Sequence, residues 1–210
     1  MARAAPRSPA ELGSRGRQVQ NVRRSVRAGT IIILNGTSSS GKTSIARALR
    51  ALRESPYFFV GVDHFNAMRP GWSLGSEDVP EGVAMNSAFH HAVLVLARCG
   101  WDVIVEHVLV NPTYRRECIE LLADYDPLFV GVRCPLEVLE RRERERGDRK
   151  IGIARDQIER VHAHGIYDLE VDTAGASPEE CAQQIRRRLR EGPPATAFRQ
   201  LKVLNQRSGV

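Results

Sequence analysis

Residues 30–44 read Thr-Ile-Ile-Ile-Leu-Asn-Gly-Thr-Ser-Ser-Ser-Gly-Lys-Thr-Ser, and the reading of this stretch decides the fold. The pattern G-x-x-x-x-G-K-[ST] is filled by Gly36, Gly41, Lys42 and Thr43. An apolar, β-rich run from Ile31 to Leu34 comes before it, and a helix-favouring segment from Ser44 to Leu52 follows. Strand, loop and helix therefore stand in the order that phosphate binding requires. Gly36 and Gly41 let the backbone curl until the N–H groups of Thr37, Ser38, Ser39, Ser40 and Ser44 face phosphate oxygens. The helix N-terminus adds a partial positive charge and Lys42 a full one. The Thr43 hydroxyl is placed to ligate Mg2+. The loop predicts a nucleoside triphosphate as ligand.

Outward from the loop, apolar β-rich runs alternate with amphipathic helical ones, the mark of a parallel sheet with crossover helices. Strands are expected at 30–35, 57–62, 102–106, 128–132 and 167–171, and helices at 42–53, 83–98, 112–124, 136–146, 154–163 and 178–190. A Gly- and Pro-bearing loop is expected from Asp63 to Pro80. The fold class is α/β: a P-loop kinase fold with a central five-stranded parallel sheet flanked by helices and an arginine-bearing lid. One kinase domain is expected over 29–190, between a disordered basic tail at 1–28 and a C-terminal tail at 191–210. Within that second tail, Phe198 to Leu204 reads as a short packed segment.

A chain of 210 residues is long enough to bury a core of its own. No apolar stretch reaches the length of a membrane span and no signal-peptide pattern precedes the first strand, so no membrane partner is expected. Cys99, Cys118, Cys134 and Cys181 lack metal-ligand spacing and read as reduced thiols of a cytoplasmic protein. The net charge of +6 resembles a nucleic-acid signature until it is located. Residues 1–28 hold seven arginines against the single Glu11, which accounts for the whole excess. Such an arm can bind phosphate backbones. The favoured reading is a leader too poor in apolar residues to pack, so nucleic acid is not the expected partner. The pattern leaves room for a homo-oligomer.

In open α/β sheets ligands bind beyond the carboxyl ends of the strands. Asp63 follows Phe-Phe-Val-Gly-Val at such an end, where a carboxylate can take the proton of an attacking hydroxyl. Glu106 ends the run Val103-Ile104-Val105 and resembles a Walker B acid, holding Mg2+ through water. The next residue, His107, is a candidate hydrogen-bonding partner of the substrate. The charged run Arg141 to Arg149 breaks at Gly147, and an arginine-bearing lid can spread positive charge over a transferring phosphoryl group. Arg146 and Arg149 flank the break and are the two lid candidates.

Five blocks in order resemble the chloramphenicol phosphotransferase-like family: Ile-Leu-Asn-Gly-Thr-Ser-Ser-Ser-Gly-Lys-Thr (33–43), Val-Gly-Val-Asp (60–63), Val-Gly-Val-Arg-Cys (130–134), Arg-Gly-Asp-Arg (146–149) and Tyr-Asp-Leu-Glu-Val-Asp-Thr (167–173). The resemblance covers about 31–190. It implies ATP- and Mg2+-dependent transfer of the γ-phosphoryl group to a hydroxyl of an antibiotic, with loss of toxicity. It also implies roles: Asp63 as general base, Lys42 as phosphate-binding lysine, Arg149 as transition-state arginine with Arg146 beside it, and an acid at Glu106.

The acceptor pocket is where this chain departs from the family. The stretch after Asp63 is shorter than in the chloramphenicol enzyme, and its content is particular to this chain: His64-Phe65-Asn66-Ala67-Met68, then Arg69-Pro70-Gly71-Trp72. Phe65, Asn66 and Met68 are the candidate acceptor contacts, with Trp72 as a further apolar wall. The small-molecule acceptor is chloramphenicol or a nucleoside antibiotic such as capuramycin. Two other classes remain: a metabolite kinase of the shikimate or nucleotide type, and an ATP switch anchored to nucleic acid by its arginine tail.

Overall fold

A computed structural model of the chain describes residues 27–52, 56–68, 81–147 and 151–207. The strand ahead of the phosphate loop, β1, is Ile31–Asn35, and all five of its residues are buried. Successive side chains of a strand point to opposite faces, and here each face is a core. Ile31 and Ile33 pack with Phe89, Val93, Ile119 and Phe129. Ile32 and Leu34 pack with Ile45, Leu49, Val130 and Ile185. A strand covered on both sides needs an unbroken apolar run, and Ile-Ile-Ile-Leu supplies it.

The other strands are β2 (Phe58–Gly61), β3 (Val103–His107), β4 (Leu128–Arg133) and β5 (Leu169–Asp172). They lie in the order β2-β3-β1-β4-β5, and every neighbouring pair is parallel. The crossover helices are α1 (Lys42–Ala51), α2 (Val62–Ala67), α3 (Glu81–Arg98), α4 (Pro112–Leu122), α5 (Leu136–Arg146), α6 (Ile153–Val161) and α7 (Pro178–Glu191), followed by α8 (Ala197–Arg207). A 3-10 turn, Ala123–Tyr125, extends α4. The expected α/β sheet forms with small shifts at its element ends. Local signals set several starts: Asn111 caps α4 ahead of Pro112, and a Ser177–Glu180 capping box opens α7 ahead of Pro178.

One expectation needs correction. Residues 62–67 form helix α2 rather than the start of a loop, because Phe65 turns back onto the core and meets the Phe89 ring edge-on at 5.5 Å. The C-terminal expectation needs only lengthening: the packed segment expected at Phe198 to Leu204 forms as part of a helix, α8, over Ala197–Arg207. Asp168 accepts hydrogen bonds from the amides of Thr196 and Ala197, at 2.7 and 3.1 Å, and so caps α8. Ala197, Phe198 and Leu201 of that helix are buried, and Phe198 meets Phe129 edge-on at 4.9 Å. Most of the expected basic tail, residues 1–26, lies outside the described residues, as does 69–80. Among the described residues no helix is long and apolar enough to cross a membrane.

Two buried polar clusters interrupt the cores at the carboxyl end of the sheet. Asn35, wholly buried, donates through Nδ2 to Val161 O at 3.0 Å and to Tyr167 Oη at 2.8 Å, and accepts Leu109 N–H at 2.9 Å. Tyr167 Oη is in turn hydrogen-bonded to His162 Nδ1 at 2.7 Å. Across the sheet, His107 Nδ1 accepts the Val108 amide at 2.8 Å, so the neutral ring carries its proton on Nε2 and donates to His90 Nε2 at 3.0 Å. His90 Nδ1 then donates to Glu117 at 3.0 Å. Burial is the main reason that His90 and His107 sit below the ordinary 6.5, and that His162 and His164 fall to about 4.

Two measurements follow from these clusters. Asn35→Ala strips partners from three buried groups and should cost about 2–3 kcal/mol in urea denaturation. A loss within experimental error would remove Asn35 from its structural role. The histidines favour their neutral form in the folded chain, so the unfolded chain takes up more protons once pH falls below 6.5. Their contribution is neutral above that value. The urea midpoint should therefore drop as pH falls from 6.5 toward about 4; a midpoint that rises over this window would contradict the assignment.

Candidate active site

The phosphate loop leaves β1 at Gly36 and enters α1 at Lys42. Its two glycines serve different needs. Gly41 holds φ at 92°, in the left-handed region. Gly36 answers a close approach, since a Cβ there would stand 2.6 Å from Val132 O and 2.8 Å from Ser40 Oγ. Ser39 also takes a positive φ, 61°, a conformation that costs a non-glycine residue about 1 kcal/mol or more. It is held from outside: Ser39 O accepts Arg142 Nη1 at 3.4 Å, and the neighbouring Ser40 O accepts Thr173 Oγ1 at 2.9 Å.

Several groups of the loop are left as an anion would want them. No side chain caps the N-terminus of α1, and its first turn carries no acid. The buried hydroxyls of Ser39 and Ser40 have no partner among the described residues. Lys42 is 4% exposed, and its Nζ donates to Gly36 O at 3.0 Å and Thr37 O at 2.6 Å. This cradle fits the polyphosphate of a nucleotide. The predicted set Gly36, Thr37, Ser38, Ser39, Ser40, Gly41, Lys42, Thr43 and Ser44 forms the loop and the first turn of α1, but two amides expected to face phosphate are turned elsewhere: Ser38 N–H donates to Gln157 Oε1 at 2.8 Å and Ser40 N–H to Thr37 O at 3.3 Å.

Thr43 Oγ1 donates to both carboxylate oxygens of Glu106, at 3.0 and 2.8 Å. The alternation of β3 explains the meeting: Ile104 and Glu106 face α1, whereas Val103, Val105 and His107 face α3. Glu106 pairs with Gly61 in register, and a Cβ on Gly61 would stand 3.7 Å from Glu106 Oε2. Among the described residues no group of three or more His, Cys, Asp or Glu could hold a metal. One hydroxyl and one carboxylate still fit a hard cation that keeps water and phosphate oxygens as its other ligands.

Asp63 stands two residues beyond Gly61, exposed, in the first turn of α2. It lines a cleft of about 410 Å³ together with Lys42, Thr43, Glu106, Arg142 and Arg146. The remaining acceptor candidates do not line that cleft. His107 is 2% exposed with both ring nitrogens engaged, because adjacent strand residues face opposite ways. Phe65 packs into the core, Asn66 is exposed on α2, and Met68 is 71% exposed beyond it. Val62 and Val108 supply the apolar wall instead. Arg149 and Trp72 lie outside the described residues.

The sequence reading missed Arg142. Its guanidinium donates to Thr173 Oγ1 at 3.0 Å and Thr173 O at 2.8 Å, besides Ser39 O, and so ties α5 to the phosphate loop and to the turn after β5. One signal was present: Arg142 lies four residues before Arg146, on the same face of one helix. Glu143 beside it is fully buried and accepts the amides of Gly152 and Ala154 at 3.0 and 2.8 Å, capping α6. The cleft thus sets Lys42, Arg142 and Arg146 against Asp63, Glu106 and Glu145. It can hold a polyanion beside a carboxylate able to take a proton.

The model of the family described as chloramphenicol phosphotransferase-like protein matches residues 29–190. A Mycobacterium tuberculosis (strain H37Rv) protein named "Putative O-phosphotransferase Rv2636" is 29% identical, over 83% of this chain and 88% of its own. Among solved structures, the M. tuberculosis APS kinase CysC superposes with a TM-score of 0.58 at 24% identity, covering 77% of this chain and 98% of that one. A Deinococcus radiodurans tunicamycin resistance protein gives 0.57 at 22%, covering 79% and 99%. Acinetobacter baumannii shikimate kinase gives 0.56 at 14%, covering 80% and 96%. The structural likenesses establish a P-loop kinase fold, and the family match, joined to the cleft, makes this chain a phosphotransferase that belongs to the chloramphenicol phosphotransferase-like family.

Proposed function

We propose that this enzyme transfers the γ-phosphoryl group of ATP, with Mg2+, to a hydroxyl of an antibiotic and so inactivates it. The observation that carries the reading is the presence of Asp63 in the same cleft as Lys42, Thr43 and Glu106. ATP supplies the phosphoryl group, and Mg2+ neutralises its charge. Lys42 and the loop amides bind and orient the phosphate chain. Thr43 Oγ1 and, through water, Glu106 are the groups that would hold the metal. The Asp63 carboxylate accepts the proton of the acceptor hydroxyl as the new O–P bond forms and the bond to ADP breaks. Arg146, and Arg149 by family resemblance, spread positive charge over the transferring group. Arg142 braces the loop that these residues share.

The family and the neighbour named for tunicamycin resistance favour an antibiotic acceptor, either chloramphenicol or a nucleoside such as capuramycin. A shikimate-type site would want a second carboxylate two residues after Asp63. That position holds Phe65, which packs against Phe89. Met68, Asn66 and His107 do not line the cleft, so Val62 and Val108 replace them here as the candidate walls of the acceptor site.

An ADP-release assay with ATP and Mg2+ against hydroxyl-bearing antibiotics, chloramphenicol and capuramycin-type nucleosides included, tests the reading. Turnover on one compound is expected. Asp63→Asn should lower it by about 10²–10⁴-fold while ATP still binds. Loss of nucleotide binding along with activity would count against the base role, and silence across the panel with ATP bound would reject the antibiotic acceptor. Glu106→Gln should raise the Mg2+ needed for half-maximal rate by about tenfold or more; an unchanged requirement would separate Glu106 from the metal.

A further inference from the structure

One contact to the phosphate loop has no part in the scheme above. The amide of Ser38 donates to Gln157 Oε1 at 2.8 Å across 119 residues of chain. Gln157 stands in the middle of α6, and both ends of that helix are fixed. The buried Glu143 carboxylate holds its first turn through Gly152 and Ala154, and Asn35 Nδ2 holds Val161 O at its last. A side chain on a helix pinned at both ends is placed rather than searching, which is what a binding group requires.

The position of Ser38 tells which part of a nucleotide lies nearby. A P-loop lysine reaches the β- and γ-phosphates. Here Lys42 Nζ rests on Gly36 O and Thr37 O, at 3.0 and 2.6 Å. The limb of the loop at Thr37 and Ser38 is therefore its terminal-phosphate end, whereas the uncapped first turn of α1 is the other end. Because Gln157 accepts from Ser38 through its oxygen, its NH2 group is left as a donor of two hydrogens. That group makes no hydrogen bond to the described residues. A carboxamide whose oxygen is anchored on the loop sets its nitrogen within about 5 Å of the Ser38 amide; Ser38 lines the cleft, whereas Gln157 is not itself among the lining residues.

We infer that Gln157 binds the γ-phosphate of the donor: the Ser38 amide orients its carboxamide, and Nε2 donates to a γ-phosphate oxygen. The inference rests on the proposed use of ATP. It makes Gln157 a residue that distinguishes triphosphate from diphosphate, so ADP leaves the enzyme without breaking this bond.

The test is calorimetric titration of the whole chain with ADP and with a non-hydrolysable ATP analogue, in the presence of Mg2+. Gln157→Met removes the donor and should weaken the triphosphate by roughly tenfold or more, the size of one hydrogen bond to a charged group, with ADP unchanged. Gln157→Glu keeps an oxygen for the Ser38 amide but replaces the donor by a like charge; it too should weaken the triphosphate and spare ADP. Equal weakening of both nucleotides by the Met variant would make Gln157 a brace of the loop only and overturn the inference. So would unchanged binding of both. Should the Met variant fail to fold in a thermal melt, the Glu variant decides by the same comparison. A wild-type chain that binds neither nucleotide would bring down the donor reading itself, a result distinct from binding that is blind to residue 157.

Discussion

Three loops converge on the carboxamide of Asn35, and the site exists because they do. At the end of the central strand the chain must turn into the phosphate loop, and a buried turn exposes backbone groups that water cannot reach. Asn35 answers with both ends of its amide, taking the Leu109 amide on one side and giving to Val161 O and Tyr167 Oη on the other. The segments after β3 and α6 are thereby drawn to the mouth of β1. Val108, beside Leu109, reaches the cleft wall, and Gln157, one helical turn before Val161, reaches Ser38. The phosphate loop is then shaped from outside by groups far away in sequence, which leaves the uncapped first turn of α1 for an anion.

The sheet and the loop were legible because they obey local periodicities. Ile31 to Leu34 is apolar throughout, as a strand buried on both faces must be, and Gly36, Gly41, Lys42 and Thr43 form a spacing with a mechanism behind it. Helix α5 was bounded correctly at 136–146, where it ends in Gly147 at φ 66°. The sequence also held the evidence against His107 as a substrate contact. If Glu106 faces the loop, its neighbour on the strand faces away, and the histidine joins His90 in the opposite core. Asp63, singled out from its place at a strand end, does line the cleft, although the residues after it coil into a helix anchored by Phe65.

What stayed hidden has one character. Arg142 to Thr173, Ser38 to Gln157, Asn35 to Tyr167 and Glu143 to the start of α6 are polar contacts between elements, and no periodicity records them. Arg142 was lost in a run of alternating charges whose plainest reading is a solvated face. Arg141 does behave that way, exposed and loosely paired at 3.9 Å with Glu145, which also lines the cleft. Glu143, two positions from each, is completely buried. The same composition serves solvent on one side of the helix and the phosphate loop on the other, and only the phase of the helix separates them.

The cap that Asp168 places on α8 has a consequence for how the chain reaches its native state. Phe129 sits in the middle of the sheet, and its cover is completed by Phe198 from α8. Until residues 197–207 have left the ribosome, that aromatic face lacks its lid of apolar atoms and the two amides that Asp168 awaits have not been made. Between the synthesis of Phe129 and that of Phe198 the nascent protein carries an unfinished hydrophobic surface, a state in which chains are prone to stick to one another.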